Sequence, residues 1–374
     1  MAAGDGASTP LARRIAKLVA AAGPLAIGEF MQICLADPRH GYYRRREAIG
    51  ATGDFVTAPE ISQIFGELIG VWCALAWHAL GKPPHLVVAE AGPGRGTLMS
   101  DLLRATRNVA GFHAALDIRL IETSSAMRER QASLLSPWRD RIQWHDSIGQ
   151  IARGPLLLIA NEFLDALPFR QYVKTASHWR ERGVGLSKDG TLGFTLCAGL
   201  LDPDRLPPSH ELQPDGAIFE ISPAREAFVE ETAERVKRDG GFALFIDYGH
   251  PRQGYGDTFQ AVRDHKFTDP LAEPGLADLT SHVDFSALAA AASIAGMSVS
   301  PIVTQAQLLV ALGLEARMQA LARDATPEQQ MTLINGLHRL IADEQMGTLF
   351  KTLAIGAGAD PAFPPFGLAP AAVR

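Results

Sequence analysis

A chain of 374 residues exceeds one average domain, and its 47% apolar content is enough for a substantial core. A formal net charge of −6 argues against a general nucleic-acid binder, and no apolar run approaches the length of a membrane span. Met1 to Pro10 lacks a basic segment followed by an apolar one, so no secretory leader is expected. Cys34, Cys73 and Cys197 lie far apart without metal-ligand spacing; they read as reduced core thiols in a cytosolic-type compartment, and no metal is expected.

Thr9-Pro10 followed by Leu11, Ile15, Leu18, Val19 and Ala22 predicts a capped helix closed by Gly23. Ile27, Phe30, Met31, Cys34 and Leu35 give a second, short helix. The stretch 41–60 is rich in Gly, Pro, aromatics and charge, and a loop of that length in a compact protein is functional or disordered. Tyr42, Tyr43 and Phe55 argue against disorder, so this stretch is expected to be a lid over a cofactor or substrate. Arg44-Arg45-Arg46 within it reads as a solvated loop. Thr57-Ala58-Pro59-Glu60 has the spacing of a capping box. It opens a helix burying Ile61, Ile64, Phe65, Leu68, Trp72, Leu75 and Ala76.

Strands are predicted at 86–90, 118–122, 142–146, 156–160 and 242–247, with helices at 97–107 and 124–135. The fully apolar run 156–160 suits the covered middle of a parallel sheet. Alternating strands and helices predict an α/β, doubly wound, mainly parallel sheet. Phe169 to Leu196 alternates between Gly turns and reads as an antiparallel insertion; Asp202 to Pro214 is a Pro-rich loop, and 223–238 is a helix. Residues 251–278 are rich in turn signals, followed by a helix at 285–295 and a strand at 297–304. A helical stretch, 308–343, is broken at Thr326-Pro327, and 349–355 reads as a last strand. The expected organisation is an N-terminal helical and lid-like segment, 1–80, then a core, 81–374. The core carries a β insertion at about 169–220 and a helical one at about 305–345.

The most informative stretch is Leu86-Val87-Val88-Ala89-Glu90-Ala91-Gly92-Pro93-Gly94-Arg95-Gly96-Thr97. A strand, a turn with Gly92, Gly94 and Gly96, and a helix start with Thr97 as N-cap make a nucleotide-binding corner. The dinucleotide fingerprint is G-x-G-x-x-G, whereas this one is G-x-G-x-G. Glu90 would repel a pyrophosphate and suits a cation, such as the amino-acid end of S-adenosylmethionine. An NAD-dependent oxidoreductase is disfavoured on both counts. Glu122, ending the second strand, is placed to accept from both ribose hydroxyls. Asp146, with Ser147 beside it, ends the third strand and is assigned to the adenine amine.

Ligands of open α/β sheets bind beyond the carboxyl ends of strands. Asn161, Glu162 and Asp165 follow the fourth strand, and Asp247 ends the fifth. Asn161 is assigned to the cofactor. Glu162 and Asp165 are three residues apart and share a side if a helical turn follows; Asp247 is a further catalytic candidate. A helix-capping cluster is the plainer reading of these acids. His145 and His282 read as packing or loop residues, and no Ser-His-Asp or metal set stands out.

Further motifs are Gly41-Tyr42-Tyr43, Gly53-Asp54-Phe55-Val56-Thr57-Ala58-Pro59-Glu60, Asn161-Glu162-Phe163-Leu164-Asp165-Ala166-Leu167-Pro168 and Phe245-Ile246-Asp247-Tyr248-Gly249. Asp269-Pro270-Leu271-Ala272-Glu273-Pro274-Gly275-Leu276-Ala277-Asp278-Leu279-Thr280 and Met346-Gly347-Thr348-Leu349-Phe350-Lys351 complete the series. Together with the glycine turn they resemble the MidA-like methyltransferases, whose mitochondrial member is an arginine methyltransferase and assembly factor of respiratory complex I. Ala58 stands where the family has Ser. The resemblance implies a class I S-adenosylmethionine methyltransferase fold with S-adenosyl-L-methionine as cofactor. It also implies symmetric dimethylation of an arginine on a complex I core subunit. The setting expected is the cytoplasm of a bacterium or the mitochondrial matrix of a eukaryote. Methylation of another substrate, or a non-catalytic assembly chaperone with the same fold, are the alternatives.

Overall fold

The computed structural model describes residues 9–44, 56–176 and 178–357. Residues 45–55 of the expected lid, with Arg45 and Arg46, lie outside the described residues. The chain divides into two compact units, each discontinuous in sequence: Met1–Phe55, Ala166–Arg225 and Gln253–His282 form one, and Val56–Asp165, Glu226–Arg252 and Val283–Arg374 the other. The helix Gln63–Ala79, grouped above with the N-terminal segment, belongs to the second unit.

The second unit is built on a mixed sheet. Its main strands are β1 (Leu86–Ala91), β2 (Leu116–Ile121), β3 (Ile142–His145), β4 (Leu156–Asn161), β5 (Gly241–His250) and β6 (Phe350–Gly356). They run in the order β6-β5-β4-β1-β2-β3, all parallel except β6. Every residue of β1 and β4 is buried, as both faces of a parallel sheet require. The chain leaves β1 toward β2 and leaves β4 toward β5, so the strand order reverses between β1 and β4. That reversal opens the crevice at which doubly wound sheets bind ligands.

Helices Gln63–Ala79 and Thr97–Thr106 pack closely because glycines face the partner backbone. A Cβ at Gly66 would meet Asp101 Cβ at 2.7 Å, and one at Gly70 would meet Leu102 Cα at 3.1 Å. The predicted capping box does not form. Ala58–Ile61 is a separate helical turn without a side-chain cap; Ser62 is extended, and its hydroxyl caps Gln63–Ala79 instead. The strand expected at 297–304 is two short pieces, Ser298–Val299 and Val303–Thr304, both on β6. Pro301 between them has no N–H to continue a ladder.

In the first unit, helices Pro10–Ala22 and Ile27–Ala36 pack in one apolar cluster with Tyr42, Phe169, Val184 and Phe259. Thr9 caps the first helix through Ala12 N–H, and Gly23 ends it at φ 91°. The β insertion is antiparallel as expected: Arg170–Thr175, His178–Leu186, Leu192–Leu200 and Ile218–Ile221, with Leu25–Ala26 added at Gly183 and Val184. The turn-rich stretch after β5 contains an unforeseen three-stranded antiparallel sheet in which Gln260–Arg263 is central, flanked by Lys266–Thr268 and Asp278–Thr280. Its first turn uses Asp264 and His265 at φ 49° and 60°, a left-handed pair without the usual glycine.

Candidate active site

The turn after β1 is left-handed at three places: Gly92 at φ 64°, Gly94 at 52° and Gly96 at 91°. A Cβ on Gly92 would meet Phe163 Cδ2 at 2.8 Å, so only glycine lets the turn lie so close to the end of β4. Gly96 itself caps the helix Thr97–Thr106, so Thr97 is not the N-cap expected from sequence. Its hydroxyl donates instead to the Glu60 carboxylate, and Arg95 Nη1 lies 3.4 Å from the same group.

Glu90, near the end of β1, is 3% exposed. Burial pushes its carboxyl up to about 8 from an ordinary 4.5, and Oε2 has no hydrogen-bond partner among the described residues. Asn161, ending β4, is buried, with Oδ1 equally unpartnered among the described residues. Glu122, just past β2, accepts from Ser124 N–H at 2.7 Å and from Gln131 Nε2 at 3.3 Å. Burial raises its carboxyl, with those hydrogen bonds opposing.

Gln131 is the residue that sequence reasoning missed. It is fully buried; its Nε2 also donates to Gly94 O at 2.8 Å, and its Oε1 accepts from Trp144 Nε1 at 2.8 Å. One amide thus ties the glycine turn to Glu122 and to β3. The only sequence signal is a polar residue on the inward stripe of a helix. Asp146 lies past β3, its side chain 63% exposed and paired with Arg128 at 2.6 Å. Ser147 is exposed and caps nothing with its side chain.

No helical turn follows β4. Residues 162–168 form an irregular turn, and Glu162 is itself left-handed at φ 49°, a costly conformation for a non-glycine residue that the surroundings must enforce. Its N–H is held by Ile246 O at 2.9 Å. Its Oε1 accepts from Ala58 N–H at 2.8 Å and from Asn161 Nδ2 at 3.2 Å. Oε2 has no hydrogen-bond partner among the described residues. Burial pushes Glu162 up to about 8; Asp165 adds to this, while the Ala58 and Asn161 bonds and the charge of Arg339 oppose it.

Asp165 is buried and accepts from the Tyr248 hydroxyl at 2.6 Å. Asp247 is fully buried and holds backbone: Leu164 N–H at 2.9 Å, Asp165 N–H at 3.1 Å and Tyr248 N–H at 2.9 Å. Such a carboxylate positions the turn that carries Glu162 and Asp165.

This arrangement fits S-adenosylmethionine. The buried oxygens of Glu90 and Asn161, unpartnered among the described residues, suit an ammonium group, the glycine turn admits close approach, and Glu122 directly follows the adjacent strand. The sequence profile of a family of S-adenosyl-L-methionine-dependent methyltransferases matches residues 68–303. The chain belongs to that family. The methyltransferase is 36% identical over 368 residues to a zebrafish protein named protein arginine methyltransferase NDUFAF7, mitochondrial, covering 92% of this chain and 86% of that one. It is 33% identical over 374 residues to the human protein of that name, covering 93% and 83%. A solved structure from Burkholderia thailandensis, bound to S-adenosyl-homocysteine, superposes with a TM-score of 0.80 at 28% identity, covering 93% of this chain and 92% of that one. The methyltransferase's cofactor is therefore S-adenosylmethionine. Among the described residues no helix is long and apolar enough to cross a membrane, and no group of His, Cys, Asp and Glu could hold a metal ion.

Proposed function

We propose that this methyltransferase acts on an arginine side chain of a protein, with Glu162 and Asp165 receiving the guanidinium. The observation that carries the reading is Glu162: half-buried and left-handed, anchored through one oxygen and left with the other, Oε2, buried and unpartnered among the described residues. A buried carboxyl near 8 gains most from a cation that cannot lose its charge in water, and a guanidinium matches a carboxylate in a fork. Asp165 stands close enough to disfavour ionisation of Glu162, so two acids face one entering charge.

The bound cofactor supplies a methyl group on a positively charged sulfur, which leaves as a neutral thioether. The work of this chain is alignment and exclusion of water. Glu162 and Asp165 hold the guanidinium and turn one nitrogen toward the methyl carbon. As that nitrogen's electron pair forms the new N–C bond, its proton passes to a carboxylate oxygen; Glu162 Oε2 is the assigned acceptor. Tyr248 keeps Asp165 in place, and Asp247 keeps the turn.

The relatives' names support a protein arginine substrate, and the MidA-like resemblance supports symmetric dimethylation of a respiratory complex I core subunit. Those names also carry the word mitochondrial, which supports a matrix setting for a eukaryotic chain. The test is transfer of labelled methyl to purified complex I core subunits, with mass spectrometry of the labelled site. Label on both terminal nitrogens of one arginine is expected. Label on another residue type would overturn the substrate assignment.

A further inference from the structure

The helical turn Ala58–Ile61 makes two contacts that belong to different strands. Ala58 N–H holds Glu162 Oε1 at 2.8 Å, beyond β4. Two residues on, the Glu60 carboxylate takes the Thr97 hydroxyl, directly after the glycine turn beyond β1. The Glu60 side chain is 13% exposed, so that bond is sheltered. Its contact with Arg95 reaches a side chain 46% exposed and counts for little. The short turn therefore bridges the place where the strand order reverses.

A single helical turn does not hold its shape alone, and this one is braced. Thr57 O accepts from Glu60 N–H at 2.9 Å and from Ile61 N–H at 3.2 Å. The helix Pro327–Ile341 lies directly on its end: a Cβ on Gly336 would meet Ile61 O at 3.3 Å and Ser62 Cβ at 3.4 Å. That helix also carries Arg339, whose charge reaches Glu162. Movement at one contact of such a body is felt at the other.

We propose that Glu60 is a positioning residue for methyl transfer, fixing the glycine turn through Thr97 and, through the same braced turn, setting Ala58 N–H against Glu162. Cofactor site and reacting carboxylate are thereby held as one piece. The half concerning Glu162 rests on the reading under Proposed function; the half concerning the glycine turn does not. The groups acting on Glu162 are Asp165, which disfavours its ionisation, and Ala58 N–H, Asn161 and Arg339, which favour it. Loss of the Ala58 bond therefore makes the carboxylate harder to ionise.

The experiment uses the full chain as wild type, Glu60→Ala, Thr97→Val and the double variant. S-adenosylhomocysteine is titrated calorimetrically, and turnover is followed against pH. Each single change is expected to weaken binding roughly 10-fold, the scale of one charge-assisted hydrogen bond. The double variant binds no worse than the weaker single, because both delete one bond. In Glu60→Ala the acid limb of kcat moves to higher pH, a change that general loosening does not produce. Glu60→Gln, which keeps an acceptor for Thr97, recovers most of the affinity. Wild-type affinity in Glu60→Ala, additive losses in the double variant, or an unmoved acid limb each overturns the proposal. If Glu60→Ala does not fold, wild-type affinity in Thr97→Val overturns it equally. Failure of the Glu162 reading shows separately, as full turnover in Glu162→Gln.

Discussion

Glu90→Gln separates what a buried acid costs the fold from what it does for the cofactor. Glu90 is 3% exposed, and burial raises its carboxyl from 4.5 to about 8. In the unfolded chain it ionises near its ordinary value. Between those two values the folded state holds a proton that the unfolded state has released, so stability falls as pH rises. The slope is about 1.4 kcal/mol per pH unit, giving a cost on the order of 3 kcal/mol at pH 7 and 5 kcal/mol above pH 8. At pH 4 both states are protonated and the cost vanishes. Glutamine keeps the shape and removes the titration. Without cofactor, Glu90→Gln is expected to melt near wild type at pH 4 and higher than wild type at pH 8. At about 1–2 °C per kcal/mol for a chain of this length, the gain at pH 8 is roughly 5–10 °C. The assay is thermal unfolding by circular dichroism across pH, with and without S-adenosylhomocysteine. Added ligand should raise the melting point of wild type and leave the variant nearly unmoved, since the ammonium has lost its carboxylate. A melting difference independent of pH would refute the burial argument; an unchanged ligand response would remove Glu90 from the cofactor site.

Asp247→Asn removes charge from three buried N–H contacts and presents an amide to one of them. A stability loss of about 2–4 kcal/mol is expected in denaturant melts, accompanied by lower turnover. Unchanged stability with lost turnover would make Asp247 a chemical group instead. Gly92→Ala puts a Cβ 2.8 Å from Phe163 Cδ2 in a left-handed residue, so S-adenosylhomocysteine affinity should fall at least about 10-fold by calorimetry. Wild-type affinity would show that the turn relaxes freely.

The sheet was legible because its strands are short apolar runs separated by helical periodicity, and the β1 corner because glycine spacing is a local signal. Elements whose reasons lie far off in sequence were not. Glu60 matches a capping box by spacing, yet its partner is Thr97, 37 residues away. The acids after β4 look like a helix start, but Glu162 N–H is taken by Ile246 of β5 and its carboxylate by Ala58 N–H, so the chain turns left-handed instead. The Asp264-His265 hairpin lacks the glycine that marks such turns, and Pro301 splits a strand that its apolar neighbours suggest. Gln131 had only its place on an inward helical stripe to mark it: a glutamine on a helix is ordinary until the glycine turn, Glu122 and Trp144 are brought around it.

The role proposed for Glu162 is toward the substrate and not toward the cofactor. The decisive variant is Glu162→Gln, assayed for labelled methyl transfer and for S-adenosylhomocysteine affinity on the same preparation. Near-wild-type affinity is expected, with turnover reduced roughly 10²-fold or more, the scale of one lost transition-state electrostatic contact. Full turnover, or loss of affinity in step with turnover, would contradict that role.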